Sequence, residues 1–119
     1  MDDFLTLKLN KEFRRLYGRG ICSVRPTVVI YALKNNLSVN RIGITSAKKI
    51  GKAVKRNRAR RVIRVAFRSI EKELNGTYDI VMVARTKTTF VKSTEVIRDI
   101  RECFLQAGMI NEKSAHSNN

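Results

Sequence analysis

In the stretch AKKIGKAVKRNRARRVIR, Ala47 to Arg64, nine of eighteen residues are Lys or Arg. Cations at this density suit one chemistry above others, the holding of phosphate oxygens. Arg offers a planar fork that meets two oxygens at once, and Lys a mobile point charge. Other chemistry-bearing side chains are scarce. The single histidine, His116, lies in the polar C-terminal run NEKSAHSNN and reads as solvated. Cys22 and Cys103 have no Cys or His partners at zinc spacing. The ten acidic residues are scattered, with Asp2-Asp3 the only adjacent pair. Gly43, Gly51 and Gly76 follow no phosphate-loop spacing. No acid–base pair or metal site emerges, so the polypeptide by itself is expected to catalyse nothing.

The basic stretch sits in a helical pattern from about Lys52 to Leu74, ended by Asn75-Gly76. Ala59, Val62, Ile63, Ala66, Phe67, Ile70 and Leu74 keep helical spacing and make a face for packing on a sheet. Lys52, Arg56, Arg60, Arg64, Arg68 and Lys72 recur every fourth residue on the exposed side, with Lys55, Arg58 and Arg61 between them. From Lys48 to Lys72, eleven of twenty-five residues are basic and only Glu71 is acidic. Like charges one turn apart repel by a few tenths of a kcal/mol, and a merely solvated face would interleave Glu with Lys. A membrane-surface helix needs Trp, Phe or Leu on its immersed face, whereas here the apolar face is small, β-branched and needed for a core. An import signal is ordinarily accessible and flexible rather than part of a packed helix. Nucleic acid fits best, with steep salt dependence expected from about eight phosphate contacts.

The elements that must position this helix can be read along the chain. Asn10 is placed to cap a first helix in which Phe13, Leu16, Tyr17 and Gly20 fall at i, i+3, i+4 and i+7, with Gly20 as the stop. Thr27 to Leu33, after Pro26, is β-branched and aromatic as strands are, KNNLS is a turn by composition, and Val39 to Thr45 reads as the returning strand of a hairpin. Thr77 to Ala84 is an almost continuous apolar run, as in a central strand. Ser93 or Thr94 is placed to cap a last helix with Ile97, Ile100, Phe104 and Ala107 inward and Gly108 closing it. The pattern is α, hairpin, α, β, α, an α/β sandwich. Phe13, Tyr17 and Tyr31 lie near basic residues, as a surface that stacks unpaired RNA bases requires. Aromatics at helical spacing are more often core, and the pattern leaves open which face Tyr31 uses.

The whole chain sets the remaining bounds. Its 119 residues carry 25 Lys and Arg against 10 acids, a formal +15 with a pI near 10.7. Charge of that size calls for a polyanionic partner. The length and the absence of a composition break suggest one RNA-binding domain over residues 1–110 with a polar, disordered tail over 111–119. The N-terminal MDDFLTLKLNKEF lacks the apolar region of a secretory signal, and no run is long enough to span a membrane. Free thiols and a cytoplasmic location follow as expectations.

SAKKIGKAVKRNRARRVIRVAFR resembles the signature of the bacterial ribonuclease P protein family, whose hallmark is Arg-Asn-Arg, here Arg56-Asn57-Arg58. NKEF with Tyr17 and Gly20 is similar to that family's first helix, RIGIT to the strand before the basic stretch, and DIVMVAR to the strand after the long helix. The resemblance implies a two-layer α+β sandwich, a small mixed four-stranded sheet in the order α-β-β-β-α-β-α, with a left-handed βαβ crossover. It implies a partner, the ribonuclease P catalytic RNA, which removes the 5′ leader of precursor tRNA using Mg²⁺ held mainly by RNA and substrate. Lys48, Lys49, Arg56, Asn57, Arg58, Arg61 and Arg64 would face the catalytic RNA, with Lys52 and Arg68 of the same exposed side. Phe13, Tyr17 and Tyr31 would line a leader cleft, and Arg85 and Lys87 would contact leader phosphates. The acidic Met1-Asp2-Asp3-Phe4 departs from the family's basic N-terminus. Two other readings compete: a small basic ribosomal protein, and a DNA-binding regulator, for which no base-reading element or dimer motif is present. Neither DNA nor a membrane is an expected partner.

Overall fold

The computed structural model describes residues 4–111; Asp2-Asp3 and nearly all of the expected tail lie outside them. Among the described residues five strands and three helices follow in the order β1 (Phe4–Thr6), α1 (Asn10–Arg19), β2 (Ile21–Val24), β3 (Val28–Lys34), β4 (Asn40–Ser46), α2 (Ala53–Ile70), β5 (Tyr78–Ala84) and α3 (Ser93–Gln106). They form one sheet in the order β1-β4-β5-β3-β2. β5 is central because five consecutive residues, Tyr78 to Met82, are buried, a run that only a strand covered on both faces can satisfy. β4 pairs with it in parallel and β3 antiparallel, so α2 is the crossover of a β4–α2–β5 unit.

Two features depart from the expected sheet. There are five strands, not four: β1 pairs in parallel with the edge of β4, and three residues are too few to show a strand period. The hairpin is β2–β3, turning at Arg25–Thr27, rather than β3–β4. The KNNLS turn has hairpin composition, yet it passes over the start of β5. There Asn35 Oδ1 accepts from the Leu37 N–H at 3.0 Å, and Thr77 Oγ1 donates to the Leu37 carbonyl at 2.8 Å. β3 and β4 therefore flank β5 instead of touching.

Helix ends also differ. Leu9 precedes α1, and Glu12 reaches back to accept from its N–H at 3.3 Å, so Asn10 is the first helical residue rather than the cap. Lys92 stands before α3 where Ser93 or Thr94 was expected to cap. α2 stops at Ile70, and a 3-10 turn over Glu71–Glu73 follows, held to α3 by Arg101, whose Nε and Nη2 donate to Glu73 at 3.1 and 2.7 Å.

The main core lies between the sheet and α2 with α3. Ile30, Ile42, Ile80 and Met82 meet Ala59, Ile63, Ala66, Phe67 and Ile70 from α2 and Val96, Ile100 and Phe104 from α3. Among the described residues, α1 is the one helix over the other sheet face. Leu7, Leu16 and Val81 are buried there, with Phe13, Tyr31, Leu33 and Val83 partly covered. A single ten-residue helix cannot cover that face, and what it leaves open is the trough described next.

α1 is fixed by a buried ionic clamp. The Asp79 side chain, 1% exposed, accepts from Arg41 Nε and Nη2 at 2.9 and 2.6 Å and from Asn35 Nδ2 at 2.9 Å. Arg41 Nη1 donates to Glu12 of α1 at 2.6 Å, and Arg15 of α1 lies 3.5 Å from Asp79. Burial pushes the Asp79 carboxyl up, but the hydrogen bonds of Arg41 and Asn35 and the charges of Arg41 and Arg15 outweigh it and hold the group below its ordinary value. α1, β4 and β5 are thus tied at one point.

Candidate nucleic-acid interface

Because side chains alternate across a strand, the sheet register sorts the open face into rows. Gly43, Val81, Tyr31 and Cys22 form one row across β4, β5, β3 and β2; Thr45, Val83 and Val29 form the next. α1 lies over the first row. Phe13 can reach the sheet there because residue 43 is Gly: a Cβ would stand 2.6 Å from the Phe13 ring. Tyr17, one turn on and 44% exposed, meets Phe13 with ring centroids 6.5 Å apart and Tyr31 edge-on at 4.9 Å. The three aromatics therefore make one continuous, part-exposed surface. The core reading of these residues holds only for their inner edges.

Two adjoining depressions extend this surface. One, about 450 Å³, is lined by Asn10, Phe13, Arg14, Tyr17 and Thr45. The other, about 500 Å³, is lined by Pro26, Val29, Ala47, Lys49, Val83, Ala84, Arg85, Thr86 and Lys87. Thr45 lines the first, and its row partners Val83 and Val29 line the second. The two are neighbours along one sheet face, called here the trough, aromatic at the α1 end and cationic at the other. Its cationic end is built by a 3-10 turn after β5, Thr86–Thr89. Thr88 Oγ1 accepts from the Arg85 N–H at 2.9 Å and donates to the Thr27 carbonyl at 2.5 Å. Arg85 Nη1 donates to the Arg25 carbonyl at 2.8 Å. Asp99 secures the same corner, accepting from the Thr27 N–H at 3.0 Å and its hydroxyl at 2.7 Å.

The basic stretch begins where the trough ends. Lys48 and Lys49 are exposed on a 3-10 turn, and Gly51, at φ 138°, redirects the chain into α2. That φ is open to glycine and strained for other residues. Lys52, Asn57, Arg58, Arg61 and Arg68 are exposed, and Arg56 and Arg64 half-buried. No acid occupies the first turn of α2; cations at the positive end of a helix dipole are unfavourable until an anion arrives. Arg58 Nη1 donates to the Thr89 carbonyl at 3.1 Å, which orients its fork and leaves other N–H donors outward. Arg60, absent from the expected contacts, donates to Ser46 Oγ at 2.7 Å and to Asn57 Oδ1. It is a tie between helix and strand, and it sets the side chain of Asn57.

The structure places Phe13 and Tyr17, with Tyr31 packed edge-on against Tyr17, at one end of the trough and Arg85 and Lys87 at the other. Lys49 joins the latter pair rather than facing away with α2. Arg14 and Thr45 also line the trough and were not anticipated. Arg14 follows Phe13 directly and Thr45 alternates with Gly43, so both could have been placed once Phe13 and Gly43 were paired. Among the described residues no three His, Cys, Asp or Glu side chains group as a metal site. No helix is long and apolar enough to cross a membrane among these residues.

Fold and site together define a class: a small α+β protein with a cationic helix on one side of its sheet and an aromatic trough on the other. Residues 1–108 match the ribonuclease P family model. The ribonuclease P protein component of Clostridium botulinum (strain Loch Maree / Type A3) is 33% identical over 106 residues, covering 88% of this chain and 96% of that protein. Solved ribonuclease P proteins are similar throughout. That of Staphylococcus aureus has a TM-score of 0.76 at 27% identity, covering 89% of this chain and 97% of its own. That of Thermotoga maritima has a TM-score of 0.72 at 27% identity, covering 82% and 92%. The chain belongs to the ribonuclease P protein family. Its partner is accordingly the RNA subunit of ribonuclease P, and the ribosomal reading is set aside.

Proposed function

We propose that this chain binds the ribonuclease P RNA through the outer side of α2 and the single-stranded 5′ leader of precursor tRNA through the trough. Lys48, Lys49, Lys52, Arg56, Asn57, Arg58, Arg61, Arg64 and Arg68 supply the catalytic-RNA surface. Phe13, Tyr17 and Tyr31 stack leader bases, while Arg85 and Lys87, with Lys49, hold leader phosphates. The observation that carries this reading is the placement of an aromatic depression and a cationic one side by side on the same sheet face. Unpaired nucleotides present flat faces at one edge and phosphates at the other, and a duplex would offer no such faces.

The role of the protein is then positional and electrostatic. Fixed positive charge between two polyanions reduces the cation concentration needed to bring them together, and holding the leader presents the cleavage site in register. Mg²⁺ supplies the hydrolytic chemistry when bound, and in this reading its ligands come mainly from RNA and substrate. The place of action is the cytoplasm, where precursor tRNA is made.

The test is affinity for leader-bearing precursor tRNA against mature tRNA, measured with the protein bound to a bacterial ribonuclease P RNA. The proposal expects tighter binding of the precursor, a difference lost on shortening the leader. Equal affinity for the two would remove the leader from the trough.

A further inference from the structure

Phe90 has no part in the trough or the core. It closes the 3-10 turn after β5 and is 75% exposed, more than any aromatic of the trough. Its neighbour Thr89 accepts the hydrogen bond from Arg58, so the backbone next to Phe90 is tied to α2 at the Arg-Asn-Arg segment. One turn before Arg58 on the same helical face stands Val54, 80% exposed, and one turn after it Arg61, followed by Val65 at 48%. Exposed apolar side chains thus stand within the most cationic part of the sequence, with Lys55, Lys87 and Lys92 also exposed. No acidic residue lies between Ala47 and Ile70.

Exposed aromatic surface set among cations, with no acid interleaved, is complementary to a ligand that is flat, apolar on its face and anionic at its rim. An unpaired nucleotide is such a ligand; a duplex interior shows no base face, and a protein partner would need acids matched to every cation. The trough's cationic lining is Lys49, Arg85 and Lys87 and does not include Phe90, which follows the residue bonded to α2. We infer that Phe90 stacks on one unpaired base of the ribonuclease P RNA whose phosphate Arg58 holds. The inference rests on the proposed function and adds to it a base contact on the catalytic-RNA side, distinct from the leader trough.

The chain contains no Trp, so Phe90→Trp creates a unique emission reporter at the site. Three proteins, wild type, Phe90→Ala and Phe90→Trp, are titrated with a bacterial ribonuclease P RNA at several salt concentrations. Phe90→Ala is expected to bind about tenfold more weakly, the loss of one stacked base. Its salt slope should stay unchanged, because stacking releases no counterions. Phe90→Trp is expected to keep wild-type affinity and to lose emission on binding, while precursor-over-mature preference stays the same in all three. Unchanged affinity in Phe90→Ala, or unchanged Trp emission, overturns the inference. Quenching by a leader oligonucleotide alone would give the site to the leader, and an emission change with protein concentration alone would give it to a second copy; both overturn it. Wild-type protein that fails to bind the RNA would overturn the proposed function itself, and this inference with it.

Discussion

Replacing Arg41 by Ala removes the centre of the clamp that holds α1 over the trough. Asp79 loses both hydrogen bonds from the guanidinium, at 2.9 and 2.6 Å, and keeps Asn35 at 2.9 Å and Arg15 at 3.5 Å. Arg15 is a weak substitute, since its side chain is 47% exposed and solvent screens it, whereas Asp79 is buried. Stranding a buried carboxylate costs about 3 kcal/mol, which corresponds to a fall in Tm of about 10 °C for a domain of this size. Glu12 is released as well, so α1 loosens and leader affinity should fall with stability. Urea unfolding of wild type, Arg41→Ala, Asp79→Asn and the double variant measures the coupling. The double variant should recover part of the loss, because the neutral amide that replaces the carboxylate leaves no charge unpaired. The pH dependence follows from the depressed Asp79 carboxyl. Its contribution is fully present above the ordinary Asp value of about 3.9 and is lost as pH falls through the lower folded value. Asp79→Asn should remove that acid limb. An Arg41→Ala protein within about 0.5 kcal/mol of wild type, the range of a neutral surface change, with leader affinity intact, would refute the clamp.

Other consequences separate the two surfaces. Arg58→Ala should weaken binding to the catalytic RNA and lower the salt slope by about one; an unchanged slope would show that Arg58 holds no phosphate. Tyr31→Ala should reduce leader affinity by about tenfold at nearly unchanged catalytic-RNA affinity, since it removes the ring against which Tyr17 packs; if both affinities fell together, Tyr31 would be a core residue. Cys22 is exposed and Cys103 buried, its thiol pushed up to about 12, chiefly by burial. A thiol reagent at mildly alkaline pH should therefore label Cys22 alone until the chain unfolds, and the label, beside Tyr31 in the sheet register, should block leader binding. Equal labelling of both thiols in the folded protein would contradict the buried position of Cys103.

Much of this was legible in the sequence where one periodicity dominated. The inner face of α2, Ala59, Ile63, Ala66, Phe67 and Ile70, reads directly from helical spacing, and the burial of β5 from its unbroken apolar run. The sheet order was not legible, because KNNLS carries the composition of a hairpin turn whether or not a third strand lies beneath it. β1 was too short for any period. Cys22 is exposed because β2 is an edge strand and α1 covers its sheet face only in part. The clamp was invisible for another reason: Glu12, Arg41 and Asp79 are distant in the chain, and only the β4–β5 register brings the latter two side by side. For the site, residue types were readable and their grouping was not. The aromatics and the Arg-Asn-Arg segment could be named, whereas the meeting of Lys49 with Arg85 and Lys87 depends on where two 3-10 turns place them. Phe90 had no signal of its own, since an aromatic after a polar turn reads as core until its exposure is known.

The central claim is that the cationic helix and the trough act together on two RNAs. Its most direct test is cleavage of precursor tRNA by a bacterial ribonuclease P RNA at low Mg²⁺, with and without this protein. The account predicts that adding the protein restores accurate removal of the leader. Tight binding of the RNA with no response in cleavage would contradict it and leave α2 as a general RNA clamp.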